Sequence, residues 1–267
     1  MSEAPAELHS AGPDQEAMPA MSFLEHLDEL RKRIFRALIA IVIGAVVCGS
    51  FHVTLVGYMQ KPILDVLHRD HMPAQLVYLN PIEPFNLYVK VSILAGLFLA
   101  SPFVLYQVWL FISPGLYRRE KRYVGPFLFF TVLLFTLGGY FGYRIVYPMA
   151  LEALIHLGRQ FVPMITINEY TDLFLKIILG LGLVFEMPIL VFFLALMGVV
   201  SAGWMWRTIR YAVLAIFIVA AAIAPPDMIS MCVFAAPMLV LYGISIGIAW
   251  FVHPTQRKAR ESRRAQA

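Results

Sequence analysis

The chain has 267 residues, of which 60% are hydrophobic and only 14% charged, with a formal net charge of +4 and two cysteines. A soluble domain carries roughly 25% charged residues, so this composition excludes an ordinary soluble globular protein and points to a membrane protein. The basic excess lies between apolar runs, where it sets orientation rather than binding a polynucleotide.

Residues 1–20 contain no lysine or arginine and are rich in Ala, Glu and Pro, so they lack the basic and apolar regions of a secretory signal and read as a disordered cytoplasmic tail. Residues 21–33 place Phe23, Leu24, Leu27 and Leu30 at helical spacing, which predicts a helix lying on the membrane surface. Ser22 with Glu25 forms a capping box at its start. Asp28 with Lys32 and Glu29 with Arg33 are i,i+4 pairs, so local physics makes Glu29 a surface ion pair worth under about 1 kcal/mol.

Six apolar stretches then predict spans at residues 34–56, 87–112, 124–147, 173–200, 211–224 and 228–252. The fifth reaches only about 21 Å as a helix and would borrow Trp204 and Trp206 as interfacial anchors. Fifteen of the 21 lysines and arginines fall in one alternating set of connections and the termini, which puts both termini in the cytoplasm. The predicted layout is a tail (1–20), a six-helix membrane domain with its surface helix (21–253) and a basic cytoplasmic tail (254–267) suited to anionic headgroups.

The second cytoplasmic segment runs from Phe111 through Pro114 and Gly115, which end the second span, to Arg118-Arg119-Glu120-Lys121-Arg122. The four bases around Glu120 keep it ionised, satisfy it, and repel a cation at long range. Outside, residues 57–84 and 148–172 are expected to form ordered, proline-fixed caps, while Pro225-Pro226-Asp227 forces the last two spans into one tight hairpin. Gly138 with Gly142 and Gly243 with Gly247 are small-xxx-small pairs, read as internal packing rather than dimerisation.

Glu186 is the sole charged residue between Ile177 and Trp206. It lies about 15 Å beyond Lys176 along a helix, near the middle of a hydrocarbon layer about 30 Å thick. An acid there costs on the order of 3 kcal/mol, so it faces a neighbour or a wet cavity. Pro188 bends the helix beside it. A carboxylic acid that donates a hydrogen bond and a carboxylate that accepts one both stay open at this position.

Cys48 and Cys232 fall inside spans and act as small hydrophobes, with no disulfide expected. His68, Asp70 and His71 lack a matched ligand pair, so no metal is assigned, and no cofactor-binding or catalytic motif appears.

Taken in order, His26-Leu27-Asp28-Glu29-Leu30-Arg31, Phe111 to Tyr117 with Glu120, Phe185-Glu186-x-Pro188 and Pro225-Pro226-Asp227 closely resemble the TatC family, across residues 21–252. TatC is the six-helix receptor subunit of the bacterial twin-arginine protein translocase. The resemblance implies an all-α concave bundle in the bacterial inner membrane that is not an enzyme. It implies capture of signal peptides bearing paired arginines at the cytoplasmic face, and self-association in a larger complex. TatA-like and TatB-like single-span partners would then move folded cargo outward on the proton motive force.

By the same resemblance Glu29 and Glu120 read the arginine pair, Arg31 shapes that surface, Phe111 lines it, and Glu186 meets a partner helix. Pro62, Tyr143 and Asp227 are second-rank positions with structural roles. The chemistry agrees, because two guanidinium groups need two carboxylates able to accept paired, charge-assisted hydrogen bonds that a lysine ammonium does not reproduce. Ala224 stands where many relatives have threonine, which removes a hydroxyl from any partner contact there. The competing reading is an ion-coupled secondary transporter with Glu186 as its proton site, although only one ionisable group is buried and no internal repeat is visible.

Overall fold

The computed structural model describes residues 23–69, 72, 75–112, 124–161, 164–224 and 228–264, and these are helical apart from short connections. The helices are α1 (Phe23–Gly49), α2 (His52–Arg69), α3 (Glu83–Ile112), α4 (Val124–Phe141), α5 (Tyr147–Leu157), α6 (Ile167–Phe185), α7 (Met187–Leu196), α8 (Ala202–Arg207), α9 (Ile209–Ile223) and α10 (Met228–Arg264). Four helical runs are long and apolar enough to cross a membrane: Glu83–Phe111, Phe127–Leu157, Ile167–Leu196 and Met228–Val252. The bent pair α1 and α2 forms a fifth candidate, and α9 is a shorter apolar helix.

The surface helix expected over residues 21–33 does not end at Arg33, because α1 runs unbroken from Phe23 to Gly49. The first span was expected to continue straight to residue 56. Instead the chain turns by 87° between α1 and α2. Gly49 and Ser50 are poor at propagating a helix, and the His52 ring sits with Nδ1 2.8 Å from the Gly49 carbonyl, giving that end group a partner. The first part of the expected outer loop, residues 57–69, is therefore in the helix α2.

A second extension occurs after the third span. A π-helical turn, Gly142–Val146, joins α4 to α5, and the Tyr147 N–H reaches back to the Gly142 carbonyl. Pro148 falls in the first turn of α5, where its missing N–H costs nothing, so the helix continues to Leu157. Likewise α6 starts at Ile167, with the Thr166 hydroxyl accepting from the Glu169 N–H at 3.3 Å. At the other end of this run Gly198 takes φ 75°, a left-handed conformation that closes α7. Helix α10 also runs on past the last span to Arg264.

Packing follows the glycines. A Cβ on Gly44 would lie 2.6 Å from the Gly96 carbonyl oxygen, and one on Gly96 would collide with the backbone of Ala45, so α1 and α3 meet backbone to backbone. A Cβ on Gly138 would stand 2.7 Å from the Leu181 carbonyl, and Gly142 lies against Leu181 and Ile177, so this pair does pack internally. Gly243 and Gly247 face open space, and the expectation of internal packing fails for them. They lie on a helix whose neighbours contact its other side.

The main core joins α2 (Met59, Ile63, Leu67), α5 (Tyr147, Ala150), α6 (Ile177, Leu181) and α10 (Phe234, Ala235). By contrast α1 exposes Ile34, Leu38, Ile39, Val42, Ile43 and Val46, a continuous apolar face that a bilayer would cover.

Prolines inside the helices leave carbonyls free, and side chains fill them. Pro62 has no N–H, which strands the carbonyl of Tyr58, and the Tyr143 hydroxyl donates to it at 2.8 Å. Pro102 strands the carbonyl of Phe98, and the buried Ser101 hydroxyl donates to that one at 2.7 Å. Next to Tyr58, the Met59 carbonyl accepts from the buried Tyr170 hydroxyl at 2.5 Å. Ion pairs complete this outer cap: Lys90 with Asp172 at 2.5 Å ties α3 to α6, and Arg69 with Glu152 at 3.0 Å ties α2 to α5. A parallel bridge between Val77 and Thr166 links the two connections.

Candidate functional site

Where α1 and α3 pack together, a ring contact joins the start of the first to the end of the second. His26 stacks on Phe111 with centroids 4.5 Å apart and planes 18° apart. Glu29, one turn along, has its carboxylate 4.0 Å from His26 Nδ1, so His26 links it to Phe111 although 82 positions separate them in sequence. The Glu29 side chain keeps only a fifth of its surface exposed. Its Oε1 accepts from Arg33 through both Nε, at 3.0 Å, and a terminal guanidinium nitrogen.

The other oxygen differs. Among the described residues Oε2 is buried without a hydrogen-bond partner, and His26 Nδ1 lies 4.0 Å from it. The i,i+4 ion pair anticipated from spacing is thus formed, yet it uses half of the carboxylate. Asp28 pairs with Lys32 at 2.6 Å on the exposed side. Arg31 is exposed, its guanidinium 5.8 Å from the centre of the Phe35 ring, a distance at which cation and π-face still attract. One short stretch therefore brings together a carboxylate oxygen without a hydrogen-bond partner among the described residues, an aromatic plane and the exposed Arg31 guanidinium. Glu120 lies outside the described residues, as do Asp227 with its two prolines and the pair Asp70 and His71.

The second acid is within the bundle. Helices α6 and α7 break at Glu186, whose N–H turns to the Leu183 carbonyl at 3.1 Å, a tightened turn made necessary by Pro188. Glu186 is 8% exposed and its Oε1 has no hydrogen-bond partner among the described residues. On the terminal side of this break Trp109, Phe127 and Phe193 pack ring to ring, with centroids 3.8 to 4.1 Å apart. An acid buried without a partner is expensive in any protein interior, and one that persists invites a donor from elsewhere.

Sequence reasoning missed Gln107. It is 5% exposed on α3, and its amide oxygen also lacks a partner. A neutral amide does not stand out from an apolar run as a charge does, so only its burial identifies it. Pro62 and Tyr143, singled out separately, are one device, since the proline strands the carbonyl that the tyrosine satisfies. Ala224 is buried at the end of α9, next to the turn. Groups of three or more metal-ligating side chains are absent among the described residues.

Comparison with known proteins agrees with these features. The family model described as "Sec-independent protein translocase protein (TatC)" matches residues 25–237. A Sec-independent protein translocase protein TatC of Koribacter versatilis is 63% identical over 254 residues, 94% of each chain. The protein of the same name from Campylobacter jejuni is 38% identical over 237 residues, 87% of this chain and 95% of its own. The crystal structure of a twin arginine translocase receptor, TatC, superposes with a TM-score of 0.77 at 36% identity, covering 85% of this chain and 99% of that one.

Proposed function

The chain belongs to the TatC family of Sec-independent protein translocase proteins, and on that footing we propose that it is the membrane receptor for twin-arginine signal peptides. The observation that carries the reading is the half-used carboxylate of Glu29, linked through His26 to Phe111. An incoming guanidinium brings several donors in a planar fork, and Oε2 has no hydrogen-bond partner among the described residues for it to displace. Glu120 supplies the second carboxylate from the segment after α3. The exposed Arg31 sets the shape and charge around the pair, and the apolar part of the signal peptide lies along the bundle or in lipid.

In this reading the chain crosses the bacterial inner membrane six times with both termini in the cytoplasm. The fifteen-to-six division of basic residues, the five long candidate spans and the short α9 support that topology. Glu186 and the break beside it form a polar point on the concave face, where a polar group of a TatA-like or TatB-like helix satisfies the unpartnered oxygen. Folded cargo then crosses with these partners on the proton motive force, and the chain carries out no covalent step. The relatives are named as protein translocases, so the reading of Glu186 as the proton site of a solute transporter has no support.

The test is site-specific crosslinking from positions 29 and 120 to matched signal peptides carrying Arg-Arg or Lys-Lys. Strong adducts with Arg-Arg and at least about tenfold fewer with Lys-Lys are expected, since the ammonium lacks the fork. Equal yields from the two peptides refute the recognition mechanism. Protease access to Glu29 from the outer side alone refutes the topology.

A further inference from the structure

Two cavities of opposite character lie side by side at the end of the bundle remote from the termini, with three tyrosines lining both. The polar one, about 730 Å3, is lined by Lys61, Asp65 and Arg69 of α2, Arg144 of the π-helical turn and Glu152 of α5. The apolar one, about 340 Å3, is lined by Leu55 and Met59 of α2, Leu94 and Phe98 of α3, and Ile178 of α6. Tyr58, Tyr140 and Tyr143 belong to both. Each volume is within the range of small-molecule sites, about 300–1,000 Å3.

Charge is not balanced in the polar chamber. Arg69 is engaged with Glu152 at 3.0 Å. Lys61 and Arg144 form no ion pair among the described residues, which leaves two free cations against one free acid, Asp65. Depth agrees with a headgroup: Arg144 is twenty residues past Val124, about 30 Å along a helix, the thickness of a hydrocarbon layer. The 87° turn brings α2, and with it Lys61, across this same level. The π-helical turn that carries Tyr143 and Arg144 is a rare element that often marks functional sites.

We propose that these adjoining cavities hold one anionic phospholipid of the leaflet remote from the termini, its phosphate between Lys61 and Arg144 and an acyl chain in the groove under Tyr143. The tyrosines stand at the boundary between headgroup and chain, where amphipathic rings are favoured. The occupant is a lipid rather than a free anion because an apolar cavity adjoins the cationic one, with Tyr58, Tyr140 and Tyr143 lining both. Bound there, it bridges α2 to α3 and α6 through its chain and α2 to the π-helical turn through its phosphate. This site is separate from the proposed signal-peptide surface, and its test does not depend on that surface.

The experiment is native mass spectrometry of the delipidated full chain titrated with phosphatidylglycerol, phosphatidylcholine or soluble glycerol phosphate. The first phosphatidylglycerol is expected to bind at least about tenfold more tightly than phosphatidylcholine, through the charge-assisted contacts of two cations. Lys61→Gln with Arg144→Gln removes that preference, Lys61→Arg with Arg144→Lys restores it, and Ala95→Phe, which fills the groove, weakens both lipids. Equal binding of the two lipids by the unsubstituted chain overturns the proposal without any variant. So does a preference that survives the double Gln substitution, or full displacement by glycerol phosphate at equal concentration, which would mean a phosphate site only.

Discussion

The two ends of the bundle are held in different ways. At the outer end, α2, α5 and α6 are fastened by tyrosine hydroxyls on proline-freed or neighbouring carbonyls, by two interhelical ion pairs, and by side chains that are almost wholly buried. At the end bearing the termini, α1 and α3 pack along each other with a glycine crossing and one stacked pair of rings, but no ion pair between them is found among the described residues, and the nearby charges pair within their own helix. Bonds between helices fix relative positions, whereas i,i+4 pairs stabilise one helix and leave its placement free. The outer end is thus cross-linked by polar contacts between helices, while at the other end the Glu29 carboxylate keeps one oxygen without a hydrogen-bond partner among the described residues.

The largest effect expected from breaking this contrast is at the end bearing the termini. Glu29→Ala combined with Glu120→Ala removes two charge-assisted contacts of about 1.5–3 kcal/mol each, so export of a folded reporter with a twin-arginine signal should fall by roughly 100-fold or more. The thermal midpoint in detergent should barely move, because the Glu29 ion pair lies within its own helix and is not one of the bonds of the cap.

Next is the junction of the two regions. Gly96→Leu drives a side chain into the backbone of α1 at Ala45, an overpacking cost of about 1–3 kcal/mol or more that repacking of a flexible chain end does not relieve. Protease nicking near α1 should increase while the cap's cysteine-free core stays protected.

Within the cap, Tyr170→Phe leaves the buried Met59 carbonyl without its donor and should lower stability by about 1–3 kcal/mol in a denaturation series. Tyr143→Phe, at a more exposed bond, should cost less, about 1 kcal/mol. The smallest stability change is expected for Arg33→Gln, under about 1 kcal/mol for a partly exposed i,i+4 pair. That variant sharpens the comparison, since releasing Oε1 of Glu29 should raise the Arg-Arg crosslinking yield rather than lower it. A fall in yield would mean that Arg33 orients the acid instead of competing for it.

Much of the fold was readable from hydropathy and charge. Apolar run length and basic-residue placement are local properties, and they located the long helices, the short α9 and the lone buried acid at Glu186. The turn after Gly49 was missed because residues 52–56 are as apolar as a span, and hydropathy does not register direction. The helical course of α2 and α5 was missed because prolines read as breakers, while here Pro148 lies in a first turn and the loss at Pro62 is repaired by Tyr143. At the site, the residues of the α1 motif were evident, but not that His26 seats on Phe111, nor that half of Glu29 is left over.

What the sequence determined alone is the solvent of each segment and the residue chemistry on offer, because burial in lipid and helix pairing depend on composition over a few turns. Only the tertiary structure decided which carbonyl each tyrosine reaches, which glycine pair meets a neighbour and which stays open, and how α2 folds across the outer end. Those outcomes depend on close approach between segments distant in the chain, where a single Cβ or one missing N–H determines whether two helices can touch.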